Sequence, residues 1–158
     1  MTEPTQSPPP ATPATPEEVA RLSAAAMWAE DHASRSLGME IVACGPGTAT
    51  VSMLVREDMV NGWGLCHGGL VASVADSAFA LACNSHGMVT LAAGFDVTFV
   101  EPARRGDLLV ARAREVVVRG RGGLYDVDVV RDRDGAVLAV FRGRSRMTSQ
   151  TNPALERD

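Results

Sequence analysis

NGWGLCHGGLVASVADSAFALACNSHG, from Asn61 to Gly87, joins a glycine-rich loop to one long apolar segment. The segment from about Gly69 to Ser85 has the length and alanine content of a helix. Leu70, Val71, Val74, Ala75, Ala78, Phe79, Leu81 and Ala82 cover most of its circumference, and a helix apolar nearly all round is buried. Its polar stripe is Ser73, Ser77, Ala80 and Asn84, with Asp76 beside it, and Gly87 is its stop. A lone carboxylate on such a helix is costly to bury without a partner.

The flanks supply a sheet. Met39 to Cys44 reads as a short strand and Gly45-Pro46-Gly47 as a turn. Thr48 to Val55 then alternates, with Ala49, Val51, Met53 and Val55 on one face. After the helix come strands at Thr90 to Val100, Leu108 to Val118, Leu124 to Val130 and Ala136 to Met147, the last two joined through Asp134-Gly135. Upstream, Pro16-Glu17-Glu18 starts a helix expected to run towards Ser34 and to stop at Gly38. The order is helix, two strands, buried helix, four strands. An α+β fold satisfies it, with an antiparallel sheet wrapped around one long central helix.

The 158 residues suggest one domain at 17–150, between a disordered proline-rich tail at 1–16 and a flexible C-terminal tail at 151–158. Residues 1–16 hold six of the nine prolines. A net charge of -4 argues against general nucleic-acid binding. All fifteen basic residues are arginines, eleven of them between Arg104 and Arg146. Solvated strand faces and a patch for a small polyanion both fit that cluster. Cys44, Cys66 and Cys83 are too few and scattered for a disulfide framework. No signal-peptide pattern and no spanning apolar run is visible, so the expectation is a soluble, cytoplasmic protein.

Gly68-Gly69 at a helix start fits either a tight turn or a cradle of free N–H groups for a carbonyl oxygen. Asp76 fits either a general base or nucleophile, or a buried acid bonded to a neighbouring hydroxyl or amide. Eight residues of helix separate the two, about 12 Å. A carbonyl held at Gly68 is therefore out of reach of Asp76 on the same chain, and a shared site needs a twofold partner. His67 reads as a cap or loop brace rather than a base; His32 and His86 stand alone, and no spacing matches a metal site.

Asn61-Gly62, Cys66-His67-Gly68-Gly69, Ala75-Asp76-Ser77-Ala78-Phe79-Ala80 and Cys83-Asn84-Ser85, with Phe99, Pro102, Gly106-Asp107 and Phe141-Arg142-Gly143, together resemble the hotdog-fold acyl-CoA thioesterases, closest to the PaaI-like branch of phenylacetic acid degradation. The resemblance runs from about Trp28 to Met147. It implies a sheet wrapped around a helix, assembled as homodimers and often homotetramers, hydrolysing acyl-CoA thioesters such as phenylacetyl- or hydroxyphenylacetyl-CoA. It implies no metal or redox cofactor, with coenzyme A entering as part of the substrate. Asp76 would activate water or attack directly, Gly68 would polarise the carbonyl, and Asn61 and His67 would line and brace the site. Gly69, Trp63, Ser77 and Asn84 are candidate substrate contacts. Arg142 and Arg144, alternating with Arg146 on one strand face, and Arg104 are candidates for the CoA phosphates. Two departures stand out: Glu30-Asp31 occupy a place where relatives often carry Asn, and Glu101 precedes Pro102 where a basic residue is frequent. The alternatives are a hotdog hydroxyacyl-thioester dehydratase or hydratase, and a non-catalytic acyl-CoA binder.

Overall fold

The computed structural model describes residues 14–156. The proline-rich stretch expected as a tail falls, up to residue 13, outside the described residues. Helix α1 spans Pro16–Glu30 and a short α2 spans His32–Ser36. Strands β1 (Met39–Gly45) and β2 (Thr48–Leu54) follow, then the long helix α3 (Gly68–Cys83). Strands β3 (Met88–Phe99), β4 (Leu108–Arg119), β5 (Gly122–Arg131) and β6 (Val137–Thr151) complete one antiparallel sheet, ordered β1-β2-β4-β5-β6-β3.

The sheet wraps around α3 because each needs the other's apolar surface. Strand β2 turns Ala49, Val51 and Met53 inward, β4 turns Leu109, Ala111 and Ala113, and β5 turns Tyr125, Val127 and Val129. Helix α3 answers with Val74, Ala75, Ala78, Phe79 and Ala82, all fully buried. Phe79 is the centre of this packing, its ring centroid 5.6 Å from Tyr125 and 5.8 Å from Phe141 in tilted geometry. Gly143 on β6 makes room for it: a Cβ there would lie 2.7 Å from the Phe79 ring.

Two expectations change. The first helix does not run on to Ser34, because Asp31 leaves helical geometry (φ -81°, ψ 79°) and becomes the N-cap of α2. Its side chain accepts a hydrogen bond from Ser34 N–H at 2.9 Å, the competition with helix continuation that short polar side chains offer. At the other end, β6 extends to Thr151, and Asn152 caps a 3-10 turn at Pro153–Leu155 that packs near α1, where Leu155 approaches Gly87. The chain from 151 to 156 is thus docked where a flexible tail was expected.

Replacing Gly143 with Ala forces a methyl group into the Phe79 ring. Overpacking of this kind costs about 1–3 kcal/mol, so the variant melts several degrees lower in a thermal scan. An unchanged melting temperature would show that Phe79 is free to move.

Candidate active site

The loop before α3 is pinned where it enters the helix. Cys66 N–H donates to Ala103 O at 2.8 Å and His67 N–H to Met59 O at 2.8 Å. Asn61 braces the turn from within: its Oδ1 accepts from Trp63 N–H at 2.9 Å and Leu65 N–H at 3.2 Å. His67 is the N-cap of α3, its Nδ1 accepting from Gly69 N–H at 3.2 Å. That bond places the ring proton on Nε2 and uses the Gly69 donor, so Gly69 is not a free carbonyl cradle. The Gly68 N–H donates to no group among the described residues. It lies at the positive end of the helix dipole, and a Cβ at this position would meet the Phe99 ring at 3.0 Å.

Two turns along the unbroken helix, Asp76 faces a cavity of about 270 Å³ between α3 and α2. Ala33, Leu37, Met39 and Ala80 form its apolar wall, and Asp31, Ser34, Ser73 and Ser77 join Asp76 as its polar lining. Positions 73, 76, 77 and 80 form one helical stripe. One carboxylate oxygen of Asp76, Oδ1, is buried with no hydrogen-bond partner. Burial raises the pKa of this carboxyl above the usual carboxylate range. Beside it, Ser34 Oγ donates to Asp31 Oδ2 at 2.7 Å and lies 2.8 Å from Ser77 Oγ. The second reading for Asp76, an acid satisfied by a neighbouring hydroxyl, does not fit the orphaned oxygen. A larger groove of about 390 Å³ near Ala26, Val89 and Pro153 contains no titratable side chain.

Other expected contacts fall elsewhere. Asn84 closes α3 and clamps β3: its Nδ2 donates to Thr90 O at 2.8 Å and its Oδ1 accepts from Thr90 N–H at 2.8 Å, leaving nothing for a substrate. Arg142 is held in a two-pronged bond by Asp126 at 2.7 and 2.9 Å, and Arg144 is paired with Asp96. Both stand on the outer face of the sheet, where a ladder of opposite charges fixes them. Arg104 differs: the bridge between Leu65 and Arg104 sets it beside the loop, and its exposed side chain forms no ion pair among the described residues. Trp63 is 85% exposed at the loop tip and packs into no pocket.

Burial pushes the Cys66 thiol up to about 11 and the Cys83 thiol up to about 12, so neither supplies a thiolate nucleophile. His86, read as isolated, meets Glu115 at 2.6 Å, and Glu115 also accepts from the Tyr125 hydroxyl at 2.8 Å. No group of three His, Cys, Asp or Glu side chains gathers as a metal site among the described residues. Ser34 is not among the expected site residues, and Asp31 enters there only with Glu30, as a place where relatives often carry Asn. Their one sequence signal is an Asp followed three residues later by Ser, a capping spacing that is easily lost inside a helical stretch.

Residues 64–138 match the family model described as "Thioesterase superfamily". The acyl-coenzyme A thioesterase PaaI of Escherichia coli is 39% identical over 132 residues, 82% of this chain and 91% of that protein. Human acyl-coenzyme A thioesterase 13 is 31% identical over 74% of this chain and 86% of its own length. The solved E. coli PaaI structure superposes with a TM-score of 0.84 at 36% identity, covering 87% of this chain and 99% of that one. The phenylacetic acid degradation protein PaaI of Thermus thermophilus gives 0.70 at 35% identity, covering 73% and 97%.

A carboxyl whose folded pKa lies above its unfolded value weakens the fold wherever it is ionised. Asp76→Asn removes that penalty. The variant is therefore more stable than the parent at neutral pH, and its advantage fades as pH falls through the folded and then the unfolded pKa. Paired thermal melts from neutral to acid pH test this, and an equal or lower melting temperature for the variant at neutral pH would contradict it.

Proposed function

Because this chain belongs to the PaaI-type acyl-CoA thioesterases of the thioesterase superfamily and hydrolyses acyl-CoA thioesters, we propose a site shared between two copies that cleaves aryl-acetyl-CoA esters. The carrying observation is the unpartnered, buried carboxylate oxygen of Asp76 on the helix that begins with the free Gly68 N–H.

Asp76 of one protomer takes a proton from a water molecule, and the water oxygen bonds to the thioester carbon. Gly68 of the partner subunit donates its N–H to the carbonyl oxygen as negative charge develops there. The tetrahedral intermediate then expels the CoA sulfur, which leaves with the proton Asp76 had taken. A carboxyl with a raised pKa holds a proton more readily at neutral pH, which suits a base better than a nucleophile. Activity therefore falls on the acid side as Asp76 protonates.

A twofold assembly is supported by β3. Among the described residues it is the long terminal strand of the sheet, paired only with β6, and it exposes Leu91, Phe95 and Phe99. Such an edge invites a second strand, and Phe99 stands against Gly68. The apolar wall of Ala33, Leu37, Met39 and Ala80 suits an aryl group. Arg104, beside the loop, is the best-placed arginine for a CoA phosphate. The three free cysteines fit a reducing, cytoplasmic setting. Assembly of the dimers into a tetramer is part of the same reading.

Asp76→Asn lowers kcat by about 10²- to 10⁴-fold. Gly68→Pro removes the cradle N–H at a helix start that suits proline, because His67 (φ -59°, ψ 128°) already has the extended geometry required; the proline ring presses on Phe99, so a thermal melt confirms folding first. Each variant alone is inactive. After subunit exchange, an equimolar mixture regains about a quarter of wild-type activity, because half the dimers are mixed and each mixed dimer has one intact site. Exchange without recovery would refute the shared site. In a panel of CoA esters followed by thiol release, aryl-acetyl esters outpace straight-chain esters of similar size; the reverse order would overturn the acyl assignment. Arg104→Glu raises KM for CoA esters more than for a truncated thioester, and equal effects would release Arg104 from that role.

A further inference from the structure

The side chains around the Asp76 cavity share a property that no single residue reveals: their protons are already committed. An ionised carboxylate only accepts hydrogen bonds. Ser34 has one hydroxyl proton, which goes to Asp31 Oδ2 at 2.7 Å. In the 2.8 Å pair between Ser34 and Ser77, Ser77 must therefore be the donor. Ser77 then shows the cavity only lone pairs. Ser73 Oγ donates to Gly69 O at 2.7 Å, so it too is left as an acceptor. An ionised Asp76 likewise only accepts, so the polar lining consists wholly of acceptors.

We propose that Asp31, Ser34 and Ser77 form a polarised relay that makes Ser77 the second acceptor for the attacking water. The relay rests on Asp76 acting as general base, as set out above. A water poised between Asp76 and Ser77 gives one proton to the carboxylate and points the other at Ser77 Oγ. Its lone pairs are then aimed away from the helix, and one of them points towards the carbonyl carbon. Ser77 touches the reacting water, while Asp31 and Ser34 are positioning residues acting through it. Nothing is oxidised or reduced: the second proton stays on the new carboxylic acid and dissociates with it. The break between α1 and α2 acquires a purpose, because Asp31 reaches Ser34 only by leaving helical geometry.

The relay can be run backwards. In Asp31→Asn, the amide oxygen must stay on Ser34 N–H, since that backbone donor needs an acceptor and Asp31 Oδ1 now supplies it at 2.9 Å. The NH2 group then replaces Oδ2 and donates to Ser34, Ser34 donates to Ser77, and Ser77 turns its proton into the cavity. Asp31→Asn lowers kcat by about ten- to a hundredfold with KM little changed. Ser34→Ala only frees Ser77 to rotate, and lowers kcat by about threefold. The double variant Asp31→Asn/Ser34→Ala recovers to the level of Ser34→Ala, because the inverted dipole no longer reaches Ser77. Ser77→Thr keeps most of the activity and Ser77→Ala does not.

The assay is thiol release from the ester turned over fastest in the panel above, with thermal melts to confirm folding. Recovery in the double variant supports the relay, since a purely structural loss would not be reversed by a second deletion. A double variant closer in log kcat to Asp31→Asn than to Ser34→Ala overturns it, as does unchanged kcat in Asp31→Asn. Asp76→Asn is measured alongside: near-wild-type turnover there defeats the general-base reading itself, whereas loss there with normal Asp31→Asn rates defeats the relay alone.

Discussion

The burial of one helix inside one sheet governs everything else in this molecule. Helix α3 is apolar on nearly every side, so only a surface that curves around it removes it from water. The six strands supply that surface, and the fit is tightest where Phe79 meets Gly143. Every feature of the site follows from where this helix begins and what it carries. Its first N–H groups emerge at the rim of the sheet beside Phe99, and its single acid sits two turns further on, against α2. The fixed rise of a helix keeps these two groups apart within one chain.

Asp76 shows what a reactive carboxylate demands of its surroundings. It is half-buried, its pKa is raised by desolvation, and one oxygen has no donor. Two other acids are held by arginines: Asp126 draws in Arg142 and Arg114, and Asp107 draws in Arg131 and Arg133. The contrast separates acids that hold the sheet together from a buried acid left free to act. The arginine-rich strands belong to the first group. Arg142 and Arg114 meet Asp126, and Arg144 meets Asp96, across neighbouring strands on the outer face of the sheet.

Much of the fold was legible because it rests on periodicity. The alternation from Thr48 to Val55 returns as Ala49, Val51, Met53 and Val55 buried to 2% exposure or less. The α3 segment was readable from its apolar circumference, and Asp76 from being its single charged residue. Gly68 was legible as a helix start, though not that His67 would take the Gly69 donor and leave Gly68 alone. The capping role of Asp31 was hidden because it sits inside a stretch with unbroken helical pattern. Asn84 misled for a related reason: it lies on the same polar stripe as Ser77, but the turn after α3 swings it onto Thr90.

What the amino-acid order determined alone is local and repetitive: which segments bury a face, where glycine and proline interrupt them, and how far apart Gly68 and Asp76 stand on their helix. Backbone geometry sets these over a few residues, so they are present in any one stretch of the chain. Tertiary structure decided which polar groups meet. Ser34 and Ser77 are 43 residues apart, and Arg144 and Asp96 are 48 apart. The direction of a hydroxyl proton and the loss of an arginine's charge to a neighbour depend on partners that only the folded sheet and helices bring within three ångströms.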